Sequence, residues 1–598
     1  MTVSSTRHEH VDTSNRYLRL VEIGIALSVE RDNDRLMERI LLEAKGLCNA
    51  DGGTLYLRTP EDTLKFAIMR TASLGIALGG TTGKPINFPP LHLYNEKGEP
   101  NHESVATYAA LTGQSINIAD AYEVRNFDFS GTKKFDEGTG FRSKSFLTVP
   151  LKNHEADVIG VLQLINAIDP ASGKVVPFSD EIQPLIEALA SQAAVALTNQ
   201  QLLETQRALL NSFIELIASA IDAKSPYTGG HCTRVPELTK MLARAACDSK
   251  EPPFADFDLS AEEWYEVEIA AWLHDCGKVT TPEYVVDKAT KLETIYDRIH
   301  EVRTRFEVIK RDAEIVYWKQ VAEGGDRVAL KAELDAELAR IDDDFSFVAE
   351  SNIGGEFMAP EKIERIKSIA QRGWLRTLDD RKGVAQGELK RKARTAAQPL
   401  PVREPLLADR EEHIHYRENE DGAREAYARF GFKMNVPEHM YNIGEIYNLS
   451  IPRGTLNAEE RFKINDHIVQ TIIMLESLTF PKNLRRVPEI AGGHHETMIG
   501  TGYPRKLARE QMSIPARIMA IADIFEALTA SDRPYKKAKT LSESMRIMHF
   551  MKKDRHIDPD LFELFLKTGI WKEYADRFLL PDQIDEVDVA AFLDQAAE

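Results

Sequence analysis

Ala491–Pro504 reads AGGHHETMIGTGYP, and the fold is read outward from this stretch. It sets two adjacent histidines, His494 and His495, and then Glu496 ahead of a turn that closes on Gly502-Tyr503-Pro504. Gly500 and Gly502 supply backbone freedom to that turn. The doublet alone is a weak signal, and its weight comes from its flanks. Upstream, WLHDCGK holds His274, Asp275 and Lys278; downstream, IADIFEALTASDRPYKK holds Asp523, Arg533 and Lys536. His231 stands in YTGGHCTRV and His467 in INDHIV.

In this order the segments resemble the signature of the HD-GYP phosphodiesterases, and the likeness runs from about Ile217 to Phe565. The resemblance implies an all-α HD-GYP domain that hydrolyses cyclic di-GMP to pGpG and on to GMP. A phosphodiester is anionic and resists an anionic nucleophile. Two bound cations answer this by making hydroxide available near neutral pH and by neutralising phosphoryl charge. By resemblance, His231, His274, Asp275 and Asp523 hold one metal. Asp275 bridges to a second, held by His467, His494 and His495. Asp275 and Lys278 are the catalytic candidates, with Lys278, Tyr503, Arg533 and Lys536 on the substrate. Two divalent ions are expected, and iron or manganese suits the donor set without excluding zinc, nickel or cobalt. Some members carry a glutamate four residues before the first ligand histidine, associated with a third metal; Tyr227 stands there instead.

Each residue also has a plainer reading. His467 shares a helical stripe with Ile464, Thr471, Met474 and Leu478, as a core histidine would. Asp523 lies one turn from Met519, Ala520 and Ala527, where a buried carboxylate needs a partner and a metal is the simplest one. Lys278 follows Asp275 by one helical turn, within reach of a phosphate oxygen. Helix packing is the competing, lesser reading of Arg533.

At 598 residues the chain exceeds one core and predicts several domains. No apolar run approaches the roughly 20 residues of a membrane span. The N-terminus lacks the apolar stretch of a secretory signal, so a cytoplasmic protein is expected. Cys48, Cys232, Cys247 and Cys276 are scattered, against a disulfide framework or a zinc ribbon. Cys232 and Cys276 read as small buried residues. A net charge of -19 disfavours DNA or RNA as partner. A small polyanion remains acceptable where metals and local cations line the site.

Residues 17–198 read as a sensor. Leu18 to Leu47 predicts one amphipathic helix, GGTLYLR a strand, and SKSFLTVPLKN with DVIGVLQLINA the central strands of a sheet. The alternation alone suits a mixed sheet. Ser145 to Ala167 and the following FSDEI resemble a GAF domain, which implies an antiparallel sheet flanked by helices and an unknown small-molecule ligand. That family has an Asn-Lys pair where this chain has Asn166-Ala167, ahead of Phe178, Asp180 and Glu181. Packing or dimerisation is the competing use of such a domain. Residues 180–223 predict a linker helix. Leu185, Leu189, Ala196, Leu203, Leu210, Ile214, Ile217 and Ile221 form a heptad seam that favours a parallel homodimer.

The catalytic domain is placed at 224–565, interrupted by an insertion at about 298–450. Lys291 to Arg340 predicts a helical hairpin. RKGVAQGELKRKARTAAQPLP predicts a mobile loop, with Lys390, Arg391, Lys392 and Arg394 as solvated surface. His413 and His415 read as exposed. DRHIDPDLFELFL predicts a closing helix, and 566–598 a helical tail. The competing readings of the whole are a phosphodiesterase for another cyclic dinucleotide such as cyclic GMP-AMP, a non-catalytic nucleotide receptor, and an interaction protein.

Overall fold

The computed structural model describes residues 3–224, 230–355, 357–417, 425, 427–530 and 538–593, and its contacts divide into two units, 1–211 and 212–598. Among the described residues no helix is long and apolar enough to cross a membrane.

The first unit is an antiparallel sheet between helical layers. The expected helix from Leu18 to Leu47 is instead two, α1 (Val3–Val29) and α2 (Asn33–Cys48). Local side-chain bonds win over helix continuity there: Glu30 accepts from the Arg31 and Asp32 N–H groups, and Asp32 caps α2 by accepting from Arg35 N–H. The main strands are β1 (Ala50–Arg58), β2 (Thr63–Thr71), β3 (Ile76–Gly79), β4 (Leu91–His92), β5 (Ile116–Ile118), β6 (Phe146–Lys152), β7 (Val158–Ile168) and β8 (Val175–Val176). Their order is β3-β2-β1-β7-β6-β5, with β4 on β2 and β8 on β7. Every pairing is antiparallel, which corrects the mixed-sheet reading. The alternation of apolar residues is the same for either sheet type, so only pairing could decide it. One face packs on α1, α2 and the start of α5 (Gln183–Lys224); α3 (Val105–Thr112) covers the other.

The seam read along α5 does not form a single outward stripe. Leu185, Leu189, Ile214 and Ile221 are buried within the chain, whereas Leu203 and Ile217 are exposed. Continuous outward spacing belongs to the neighbouring column Val195, Leu202, Leu209 and Leu216, joined by Phe213.

The second unit is helical: α6 (His231–Asp248), α7 (Ala261–Leu273) and α8 (Glu283–Val286) precede the expected hairpin, α9 (Ile299–Ala322) and α10 (Arg327–Asn352). After α11 (Pro360–Ala370) come two small ribbons, β9 (Gly373–Arg376) with β10 (Val402–Pro405), and β11 (Ile414–Tyr416) with β12 (His439–Asn442). The predicted mobile loop holds a helix, α12 (Gln386–Lys392). Its basic side chains are tied down: Lys392 pairs with Asp380 at 3.1 Å, Arg391 donates to Glu412 O at 3.1 Å, and Arg394 to Ile414 O at 2.8 Å. Lys390 and Arg394 remain exposed, while Arg391 and Lys392 are half-buried. His413 and His415 are half-buried rather than exposed, and burial pushes His413 down to about 4. Next come α13 (Glu445–Leu449), α14 (Ala458–Glu476), α15 (Val487–Gly492), α16 (Ile514–Thr529), α17 (Leu541–Lys553) and the closing helix α18 (Pro559–Thr568). Among the described residues, the tail beyond α18 is α-helical in α19 (Ile570–Phe578); Pro581 follows its end, and short 3-10 turns come next.

Candidate metal centre

Helix ends deliver most of the site. His231 is the first residue of α6, and His274 and Asp275 follow the last turn of α7. A 3-10 turn, Cys276–Thr280, then lies against α14. Gly277 permits that approach, because a Cβ there would stand 1.9 Å from His467 O. Its N–H donates to Thr471 Oγ1 at 2.9 Å. His467 sits on α14, His494 and His495 just past α15, and Asp523 on α16.

These residues, scattered over some 290 positions of sequence, converge as two groups: His231, His274, Asp275 and Asp523, and His467, His494 and His495. In each group the donor atoms lie within 4.8 Å of one another. Asp275 faces both. Its Oδ2 stands 3.1 Å from His231 Nε2 and 3.3 Å from His274 Nε2, and its Oδ1 3.3 Å from His467 Nε2. Asp523 Oδ1 is 3.3 Å from His231 Nε2, and the Nε2 atoms of His467 and His495 are 3.2 Å apart.

The imidazoles are held with Nε2 inward. Nδ1 of His274, His467 and His494 each meets the carbonyl three residues back, at 2.7, 2.5 and 2.7 Å. A donating Nδ1–H leaves the Nε2 lone pair for a metal. Nε2 of His274 and of His494 is buried with no hydrogen-bond partner, an expensive arrangement unless a cation takes the lone pair. The donor chemistry and these orphaned atoms fit a pair of divalent ions.

Electrostatics separate the two groups. Burial works against a charged His274, yet Asp275 and Asp523 hold it up at about 9. Burial is likewise overcome at Asp275, where Lys278, His274 and His231 hold the carboxyl well below the usual range. In the imidazole-rich group burial wins, and His494 falls to about 4. Neutral imidazole is the ligand form.

Glu526, one turn past Asp523, was not singled out from the sequence. Its carboxylate binds His231 Nδ1 and accepts from Arg234 Nε at 2.7 Å. The three-residue step from Asp523 to Glu526, which shares a helix face, was the available signal.

Lys278 does not reach outward as expected, because its ammonium pairs with Asp275 Oδ2. Tyr503 stacks on His495, with centroids 4.8 Å apart at 19°. Arg533, Lys536 and Tyr227 lie outside the described residues. In the turn, Gly500 adopts φ +72°, but Gly502 serves differently: a Cβ there would stand 2.5 Å from Glu496 Cα. Buried Glu496 ties the turn by accepting from Arg505 N–H at 2.7 Å and Leu507 N–H at 2.9 Å. Cys232 and Cys276 are buried free thiols outside both groups. A cavity of about 270 Å³ opens beside His494, His495 and Asp523, and Ile524, Leu528, Met551, Lys539 and His556 are among its lining residues.

Comparison with known proteins gives two domain matches: a GAF domain over residues 32–197 and an HD domain over 401–561. The second takes in His467, His494, His495 and Asp523, while His231, His274 and Asp275 precede it. Among curated relatives, 3'3'-cGAMP-specific phosphodiesterase 1 of Vibrio cholerae is 37% identical over 19% of this chain and 26% of its own length. Cyclic di-GMP phosphodiesterase PA4108 of Pseudomonas aeruginosa is 44% identical over 14% and 20%. The matched segments thus span about a quarter or less of these relatives. Among solved structures, the GAF domain of an Acinetobacter phosphoenolpyruvate-protein phosphotransferase covers 32% of this chain and 97% of its own, at 14% identity and a TM-score of 0.24.

Proposed function

We propose that this chain, a GAF domain followed by an HD domain, is a metal-dependent phosphodiesterase that opens cyclic di-GMP to pGpG and on to GMP. The observation that carries the reading is Asp275, which offers one carboxylate oxygen to each of two donor groups. His231, His274, Asp275 and Asp523 hold one divalent ion, and Asp275, His467, His494 and His495 the other, with iron or manganese suited to both. When bound, such ions supply an activated water and neutralise phosphoryl charge.

The chain's own residues orient the rest. Lys278 lies against Asp275 and exchanges that partner for a substrate phosphate oxygen, from which its ammonium can protonate the leaving 3'-oxygen. Arg533 and Lys536 hold phosphate by family resemblance. Tyr503 acts through His495 as well as on substrate. The apolar cavity walls beside Asp523 suit a base. The GAF domain regulates the reaction through an unidentified small ligand, in a cytoplasmic homodimer paired along α5.

A second substrate, 3'3'-cyclic GMP-AMP, is favoured by one finding: matched relatives from Vibrio cholerae are named as specific for it. The test is metal counting on the purified full chain together with hydrolysis of cyclic di-GMP, 3'3'-cyclic GMP-AMP and cyclic di-AMP. Two ions per chain and turnover of cyclic di-GMP are expected. Asp275→Asn should lower turnover by at least about 100-fold with folding retained. Bound nucleotide without turnover would mean a receptor, and protein that takes up no metal would end the enzymatic reading.

A further inference from the structure

The stretch read as an insertion returns to the catalytic helices through residues 427–434, and this segment touches one side of the metal centre. Tyr427, Phe430, Phe432 and Met434 pack against Ile468, Val469 and Ile472 of α14 and against Tyr503. Tyr427 Oη donates to Asp466 Oδ1 at 3.2 Å, on the residue next to His467. Lys433 N–H donates to Pro504 O at 2.7 Å, and Arg505 Nε returns a bond to Phe430 O at 3.0 Å. The segment is therefore wedged between the helix that carries His467 and the turn whose Tyr503 stacks on His495. Both histidines belong to the same donor group. His231, in the other group, takes its outer partner from Glu526 on α16 instead.

We propose that residues 427–434 form a brace that positions His467 and His495, so that the insertion sets the affinity of one metal position and leaves the other alone. Tyr427 and Phe432 are its positioning residues. The physical case is the usual one for metal sites: an imidazole binds well only when its ring is pre-aimed, and the groups behind it do the aiming. Tyr503 aims His495 by stacking, and Phe432 backs the same small core as Tyr503. Tyr427 fixes α14 at the level of His467. This inference rests on the two-metal reading above.

The test is a manganese titration of the metal-free full-length protein, with bound ions counted and each uptake step assigned through His231→Ala and His495→Ala. The unsubstituted chain should take up two ions. Tyr427→Phe and Phe432→Ala should each weaken the step assigned to the His467 group by about tenfold and leave the other step unchanged, with the melting temperature of the metal-free protein kept in Tyr427→Phe and lowered in Phe432→Ala. Phe432→Leu, which keeps apolar bulk, should restore most of the loss. Tyr427→Phe removes a single oxygen atom and carries the test by itself if Phe432→Ala fails to fold. An unchanged His467-group step, or equal weakening of both steps, overturns the brace. Normal stepwise loss in the variants with no hydrolysis by the unsubstituted chain would leave the brace standing and sink only the phosphodiesterase.

Discussion

At the scale of single residues, four of the five imidazoles have Nδ1 committed, which turns Nε2 inward. Carbonyls take Nδ1 of His274, His467 and His494, and Glu526 takes that of His231. Glu526 is the residue that makes His231 a strong donor, since a carboxylate behind an imidazole raises its basicity. Glu526→Gln should therefore keep the fold while weakening metal uptake at the His231 group about tenfold or more, measured by competition with a chelator. The seven proposed ligands were legible because their motifs, weak one by one, stand in an order that resembles a known family. Glu526 was not, because a glutamate on a helix is unremarkable until the ring it supports is known. Lys278 shows the reverse: its one-turn spacing from Asp275 suggested a phosphate, and the same spacing lets it close onto the carboxylate.

At the scale of elements, the insertion is fastened through buried polar groups rather than through a separate core alone. Lys288 pairs with Glu460 at 2.7 Å near the start of α14, and Asn457 caps that helix while bonding Asn442 O and Asn448 Oδ1. Lys291 donates to Leu449 O at 3.0 Å and Ile451 O at 2.8 Å, beside Met358 Sδ at 3.3 Å. Burial, helped by Lys362, pulls its pKa down to about 8 from an ordinary 10.5. Between pH 8 and 10.5 the unfolded chain binds the extra proton, so this group makes the fold more stable as pH rises through that window. The contribution is unfavourable and constant below pH 8. Urea titrations of the unsubstituted chain and Lys291→Met should show that rise in the first and its loss in the second. A helical hairpin was legible from charge and the lack of breakers. The helix α12 was not, because its basic side chains find acids and carbonyls only after β9, β10 and β11 bring Asp380, Glu412 and Ile414 close.

At the scale of the whole molecule, α5 leaves Val195, Leu202, Leu209 and Leu216 exposed at seven-residue intervals. Within the first unit a groove of about 740 Å³ runs between α1 and α5, with Val21, Ile25 and Val195 among its lining residues. A second copy pairing along this stripe buries it at the period of a coiled coil. Leu202→Glu with Leu209→Glu should halve the mass seen by sedimentation while leaving the helical content of each chain largely intact. The sequence by itself pointed to the succession of GAF domain, linker helix and helical HD domain, and it named the seven metal-ligand candidates. The succession follows from local periodicity and motif order, and the ligand set from the family resemblance that those motifs carry. Tertiary structure decided strand pairing and which column of α5 faces outward, whereas the division of the candidates into two groups about Asp275 was already implied by the family resemblance. Pairing and facing both depend on contacts between residues far apart in the chain, and side-chain period alone is the same whichever partner lies across.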